Sequence, residues 1–266
     1  MLTATRSRTF AVDPAHSEVL LAIVKPPTPN NNLKEYTMET LPIKTIPLGL
    51  NGTFDVPPTI DEIVELKAAR SLDDRALRTI FFEARTANGF VDRPVPRDLL
   101  ARAVEIALLG PTSANSLPLR IVFVETPEAK ERLRPAMAPT NLDKTMAAPV
   151  TAIIATDLNF YEQFPRTFPE RGEMFKGLFG GLPAEAQRCM AWDNAVLQMG
   201  YFIIALRSVG LDAGPMAGFE RSIVDAAFFP DGQFVSQYVV NIGYGDDTKV
   251  FPRLPRFNVD EIARFA

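Results

Sequence analysis

At 266 residues and 47% hydrophobic content the chain is large enough to bury a substantial core, and its formal net charge of -4 removes any general attraction to nucleic acid or to an anionic membrane surface. A single cysteine, Cys189, rules out internal disulfides and thiolate metal clusters, and a single histidine, His16, argues against Ser-His-Asp or Cys-His hydrolysis and histidine-ligated zinc. No run approaches the ~18 apolar residues of a membrane span, and the start mixes Asp, His and Glu with its Arg and Ser, unlike a targeting peptide, so a cytoplasmic protein is expected.

Residues 1–70 are studded with breakers, as in "VKPPTPNNNLKEY" and "GTFDVPPTIDE", and read as an irregular extension; Met38 leaves open a natural start inside it. Residues 71–266 form the expected folded domain. "SLDDRALRTIFFEAR" predicts a helix with Ser71 as N-cap, Asp73 and Asp74 in its first turn, and Leu72, Leu77, Ile80 and Phe81 on one face. Pro96 to Gly110 predicts a second helix, "LRIVFVE" a strand, "PEAKERLRPAM" a helix and "PVTAIIAT" a buried strand. The glycines of "KGLFGGLP" predict a flexible loop. Pro183 to Gly210 predicts the longest helix, about 25 residues or ~37 Å at 1.5 Å per residue. Its "MGYFIIAL" stretch is apolar all round, which puts that part in the middle of something. A helix this long in so short a core suggests the centre of an intertwined dimer, with the central helix of a monomer as the alternative, and Cys189 reads as a small buried apolar residue on it. "ERSIVDAAF" predicts a short helix, "FVSQYVVNIGYG" a strand, and the tail another short helix.

The connection "GPTSANSLPLR" carries more small hydrogen-bonding side chains than a helix stop requires, since Gly110 and Pro111 already supply the stop. It is either a ligand loop or a turn in which Ser and Asn bond their own backbone. Neither G-x-G-x-x-G nor G-x-x-x-x-G-K-[ST] occurs, so any bound phosphate must be held by arginines and hydroxyls. Two segments offer them: "ARTAN" at the end of the first helix, and "FPRLPR" with Arg253 and Arg256 on a proline-stiffened stretch.

Taken together these stretches resemble the nitroreductase family of flavin enzymes. "ARTANGF" matches the family's opening Arg-Ser element with Thr86 in the serine place, and Pro111, Thr112, Ser113, Asn115 and Pro118 match its Pro-Ser-Ser-x-Asn-x-x-Pro loop. "NLDK" supplies the Asn-x-x-Lys turn with Asn141 and Lys144, "GLDAGPMAGF" the Gly-Leu-x-x-x-Pro-x-x-Gly-Phe element, and Arg253 the closing phosphate arginine. Within the family, "RTANGF", "GPTSAN", "KERLRPAM", "APVTAI", "DAGPMAGF" and "NIGYGD" look most like the malonic semialdehyde reductase branch of pyrimidine utilisation.

The resemblance implies an α+β nitroreductase-like fold with a central mixed sheet flanked by helices, an intertwined homodimer, FMN as cofactor, and NADPH or NADH as hydride donor. It implies that Arg85, Thr86 and Arg253, helped by Arg256, hold the phosphate, with the Pro111–Asn115 loop of one chain closing over flavin held by the other. Asn141 and Lys144 would lie along the ring edge; Pro215, Met216 and Gly218 would line the ring, with the Ala217 backbone N–H near N5. Asn194 is carried over from the long helix. No side chain is implied as a catalytic acid or base, because the flavin does the chemistry, and no metal is implied. Arg120, at the start of a strand, reads as structural. Asn88 stands where the family commonly has a basic residue, so a lower flavin midpoint is expected. The implied reaction is reduction of 3-oxopropanoate to 3-hydroxypropanoate; a broad nitro or quinone reductase, a non-catalytic flavin-binding sensor and an assembly protein are the alternatives.

Overall fold

The computed structural model describes residues 60–61, 64–65 and 71–266. His16, Met38 and nearly all of the expected extension lie outside the described residues. The chain divides after Glu65 into two units, the second being Leu66–Ala266.

Its centre is one four-stranded sheet: β1 (Leu119–Val124), β2 (Val150–Asp157), β3 (Asp212–Met216) and β4 (Phe234–Gly243), in the order β1-β2-β4-β3. Every pair of neighbouring strands is antiparallel. The expected mixed sheet is therefore corrected: among the described residues the parallel content shrinks to one bridge, Thr86 to Ala213. The reason lies in the connections. The excursions from β1 to β2 and from β3 to β4 each return the chain beside the strand it left, in the opposite direction.

Period-two alternation shows why β2 has no exposed residue. Val150, Ala152 and Ile154 face one core with Leu100, Phe202 and Leu206, whereas Ile153 and Ala155 face a second with Leu133, Val224 and Phe229. Helices thus cover both sides. On the first side lie α2 (Arg97–Ala107) and α6 (Ala184–Ser208); on the second, α3 (Pro127–Leu133), α4 (Pro139–Ala147) and α7 (Arg221–Phe228). The first helix is α1 (Asp74–Leu77), continued by a π-helical turn, Arg78–Phe82. Its N-cap is Asp73, whose carboxylate accepts the Ala76 N–H at 2.7 Å, not the expected Ser71. An Asp directly before the first turn is the better placed acceptor.

Between β2 and α6 the chain builds a third, aromatic core of Phe160, Phe164 and Phe179, with Phe168 and Phe175 packed against it. The expected loop at "KGLFGGLP" is here the end of a helix, α5 (Gly172–Gly180). Each mid-helix glycine costs about 1 kcal/mol relative to alanine. The Phe175 and Phe179 rings, 5.5 and 5.0 Å from Phe164, offset that cost.

The long helix covers the span predicted. By length and composition it could cross a membrane; here Met199, Phe202, Ala205 and Leu206 pack on the sheet. Buried Gln198 accepts the Leu119 N–H through Oε1 at 3.1 Å, pinning the start of β1. The opposite face leaves Leu197, Tyr201 and Ile204 exposed, one apolar stripe at helical spacing. Gly110 fits beside it only for want of a side chain, since a Cβ would stand 2.7 Å from the Tyr201 ring. Cys189 is exposed rather than buried, because its position on α6 faces away from the sheet. Partial desolvation, then Glu185, pushes its thiol pKa up, which keeps it protonated and a poor nucleophile.

Candidate functional site

Residues 85–91 lie across one end of the sheet. The Ala87 N–H donates to the Ala213 carbonyl at 3.0 Å on the β3 side, and the Val91 N–H to the Tyr244 carbonyl at 2.9 Å beyond β4. Gly214 permits this crossing, since a Cβ there would meet the Ala87 oxygen at 2.5 Å. Arg85, Thr86 and Asn88 are thereby delivered to the rim of a cleft of about 720 Å³, which the last turns of α6 and the tail Phe251–Arg256 complete.

Four arginines border the cleft: Arg85, Arg207, Arg253 and Arg256. None has a carboxylate within ion-pair distance among the described residues. Their bonds go to backbone oxygens. Arg85 donates to the Phe251 carbonyl, and Arg253 Nη2 to the carbonyls of Phe82 (2.7 Å) and Ala84 (3.1 Å), so residues 166 to 171 positions apart are tied into one wall. Arg256 Nη1 turns back on the Leu254 and Pro255 carbonyls at 2.9 and 3.0 Å.

Arg207 escapes a reading of the sequence, because a cation closing a helix looks like an ordinary dipole partner. Its Nη2 donates to the Arg85 carbonyl at 3.1 Å, and its Nε is buried without any partner. Burial pushes its pKa down and neighbouring Arg253 adds to that, against the pull of Asp212. Such a site calls for an anion. A phosphate would supply the counter-charge that these guanidinium groups lack, so the donor set fits the phosphate of a nucleotide.

A second group gathers at the end of β3. The Ala138 N–H and Asn141 Nδ2 both donate to the Gly218 carbonyl, at 3.2 and 3.0 Å, and Glu220 N–H donates to the Ala136 carbonyl at 2.7 Å. These bonds hold α4 against residues 217–220. The expected Asn-x-x-Lys turn is corrected to helix: Pro139 opens α4, and Lys144 falls in its last turn, where the dipole favours a cation. Lys144 Nζ lies 3.4 Å from Asn88 Oδ1, which joins this group to the cleft. Pro215, Ala217 and Gly218 keep surface exposed, but Met216 is 7% exposed, with Thr145 Oγ1 and Asn241 Nδ2 each 3.9 Å from its sulfur. Its side chain is a core element, and only its backbone can meet a ligand.

The Pro111–Asn115 loop does not line the cleft of its own chain. Ala114, Asn115 and Leu117 adopt φ of 51°, 56° and 45°, left-handed values without a glycine. Three bonds hold that shape: Ser113 N–H to Asn194 Oδ1 at 2.7 Å, Leu117 N–H to Thr112 Oγ1 at 3.2 Å, and Asn115 Nδ2 to the Thr167 carbonyl at 2.7 Å. Asn194 is thus a brace from α6, and Thr112 serves the loop itself. Ser113 and Asn115 remain exposed. Arg120 is structural, as expected: its Nη2 pairs with buried Asp157 at 2.5 Å.

The class defined by this fold, an antiparallel sheet between helices with an arginine-rimmed anion cleft at its end, is met directly by comparison with known proteins. The sequence matches the nitroreductase family over residues 83–244. A Stenotrophomonas maltophilia protein named "Putative NADH dehydrogenase/NAD(P)H nitroreductase" is 49% identical over 198 residues, 74% of this chain and 100% of that protein. A Burkholderia lata protein of the same description is 49% identical over 194 residues, 73% of this chain and 98% of its own length. The chain belongs to the nitroreductase family. Solved structures agree in fold: an Exiguobacterium sibiricum nitroreductase-type protein in complex with FMN (TM-score 0.66, 17% identity, 74% of this chain and 98% of that one) and a Streptococcus pneumoniae nitroreductase family protein (0.63, 22%, 72% and 98%).

Proposed function

We propose that this protein is an FMN-dependent NAD(P)H oxidoreductase, working as a homodimer, that reduces a small carbonyl compound, 3-oxopropanoate to 3-hydroxypropanoate, in pyrimidine degradation. The observation that carries the cofactor assignment is the cleft of four arginines without carboxylate partners, one with an orphaned buried Nε. When bound, FMN supplies the hydride relay between the nicotinamide donor and the acceptor. Arg85, Thr86, Arg207 and Arg253 would hold its phosphate, and Lys144 would set a positive charge at the ring edge, oriented by Asn88.

Two observations favour a second copy of the chain. The outer stripe of α6 and the neighbouring Phe81, Phe82, Leu108 and Leu109 are exposed apolar surface. The loop expected to close over the flavin stands away from its own chain's cleft, as a cofactor shared between subunits requires. The carbonyl substrate rests on the sequence resemblance alone. The names of the curated relatives favour a second reading, a nitro or quinone reductase on the same cofactor.

Purified protein should be a yellow dimer with FMN near one per subunit, bleached anaerobically by NADPH or NADH. Steady-state rates with 3-oxopropanoate beside a quinone and a nitroarene then decide the acceptor: turnover confined to the last two overturns the carbonyl assignment, and bleaching without any turnover favours a sensor. A dependent prediction concerns Asn88. Asn88→Lys would set a second cation beside Lys144, a repulsion relieved by negative charge on the ring. Redox titration should show a higher flavin midpoint in the variant, and an unchanged or lower value counts against the placement of Asn88.

A further inference from the structure

Behind the sheet edge that carries Pro215 and Gly218 lies a charge without a task in the reaction above. Lys130, on α3, is 5% exposed. Its Nζ donates to the Thr145 carbonyl at 2.7 Å and to Thr151 Oγ1 at 2.5 Å. Thr151 Oγ1 donates in turn to Asn241 Oδ1 at 2.9 Å. Asn241 Nδ2 then donates to Thr145 Oγ1 at 3.3 Å and lies 3.9 Å from Met216 Sδ.

Every member of this network is buried, and no carboxylate belongs to it. The charged groups on the packed elements are engaged or remote. On α3, Glu128 and Arg132 are exposed, and exposed Glu131 is paired with Arg134; on α4, Asp143 is exposed and Lys144 reaches Asn88. β2 holds only Asp157, at its far end with Arg120, and β4 has no charged residue; on α7, Asp225 accepts the Ser236 N–H at 2.7 Å and Arg221 Nη2 donates to the Gln237 carbonyl at 3.5 Å. A buried ammonium ion without a counter-charge is costly, and such groups concentrate at functional sites.

The network's two ends explain its place. Thr145 follows Lys144 in the last turn of α4, so the ammonium sits where the helix dipole favours a cation. Met216 precedes Ala217. The same cluster therefore braces both elements that the FMN reading assigns to the ring.

We propose that Lys130 is a positioning residue for bound FMN: its ammonium fixes the last turn of α4, and with it Lys144, while adding a poorly screened positive charge behind the ring edge. The proposal rests on the FMN reading above. Burial pushes the Lys130 pKa down to about 8. Negative charge gained by the ring favours the protonated amine, so this pKa is higher in the reduced enzyme than in the oxidised one. By linkage, between pH about 8 and the higher pKa of the reduced enzyme, reduction takes up as much as one proton at Lys130 in addition to any taken up at the ring. Below that window Lys130 is charged in both states and adds no slope.

The test is potentiometric titration of the FMN holoenzyme as a function of pH. The wild-type midpoint should fall more steeply from pH about 8 up to the higher pKa of the reduced enzyme, by up to one further proton per two electrons, and return to its former slope above it. Lys130→Met should abolish the steepening and lower the midpoint on the acid side of it. Thr151→Val removes an acceptor from the ammonium, so it should shift the steepening to lower pH. A constant slope in wild type overturns the proposal, as does steepening that survives in Lys130→Met. If Lys130→Met does not fold, steepening that stays in place in Thr151→Val overturns it equally. A wild-type protein that takes up no FMN removes instead the reading on which the proposal stands.

Discussion

Replacing Arg85 and Arg253 together by alanine should lower FMN affinity at least a hundredfold. A charge-assisted bond from a fixed guanidinium is worth roughly tenfold to a hundredfold in binding. The two side chains border one cleft, so their effects are not additive, and the lower bound is the safer expectation. Both also bond backbone carbonyls, Arg85 that of Phe251 and Arg253 those of Phe82 and Ala84. The tail should loosen as well. Flavin fluorescence quenching measures affinity, while thermal unfolding without FMN separates lost ligand contacts from lost structure. The single variants Arg85→Lys and Arg253→Lys keep the charge but lose the fork, and should fall between wild type and the alanine pair. Arg97→Ala, which breaks an exposed pair with Glu125, serves as the control. An affinity in the double variant close to that of Arg97→Ala would mean that the phosphate lies elsewhere.

Phe164→Ala should be the most damaging single core change, at about 3–5 kcal/mol. The ring is fully buried and stands within 5.0–6.1 Å of Phe179, Phe175 and Phe160. No backbone relaxation refills that space easily, because its neighbours are themselves rings held by one another. The aromatic core is distinct from the two that flank the sheet, so the damage should begin locally. Limited proteolysis should cut first between residues 158 and 182, and hydrogen exchange should accelerate there before it does in β2 or α6. The Asn115 bond to Thr167 carries the disturbance to the 111–115 loop, so, if that loop closes over FMN as proposed, FMN should dissociate faster too. Phe164→Leu should retain most of the stability. Denaturant unfolding within about 1 kcal/mol of wild type for the alanine variant would show that this cluster is not a core.

How much of this was legible in the residues differs from element to element. The long helix was readable because its breakers, Pro183 and Gly210, bound an uninterrupted apolar run, and β2 because a buried strand needs no alternation. Helix α5 was not. Its glycines carry a local preference that four aromatic neighbours overrule, and those neighbours are brought in from other turns of the chain. Arg85 and Arg253, which border one cleft, were singled out through resemblance to known enzymes, since nothing in periodicity joins residues so far apart. Arg207 was missed for a physical reason: a cation after "MGYFIIAL" is what any helix end would carry, and only its buried Nε sets it apart. Asn194, Thr112 and Met216, expected beside the cofactor, have their polar or sulfur atoms engaged within the chain. Amides, hydroxyls and thioethers look alike as ligands and as braces, and the choice is made by the direction of a side chain, which no motif records.

If the loop closes over FMN as proposed, its three left-handed residues, Ala114, Asn115 and Leu117, bear on the speed and selectivity of cofactor capture. Glycine would relax each of these positions, yet none is glycine, and the shape is imposed by bonds from Asn194, Thr112 and Thr167. A clasp cast in advance surrenders little freedom when it shuts, so more of its contact energy remains as affinity. It also cannot remould itself around a nucleotide of another outline, and stiffness here acts as a filter at the door.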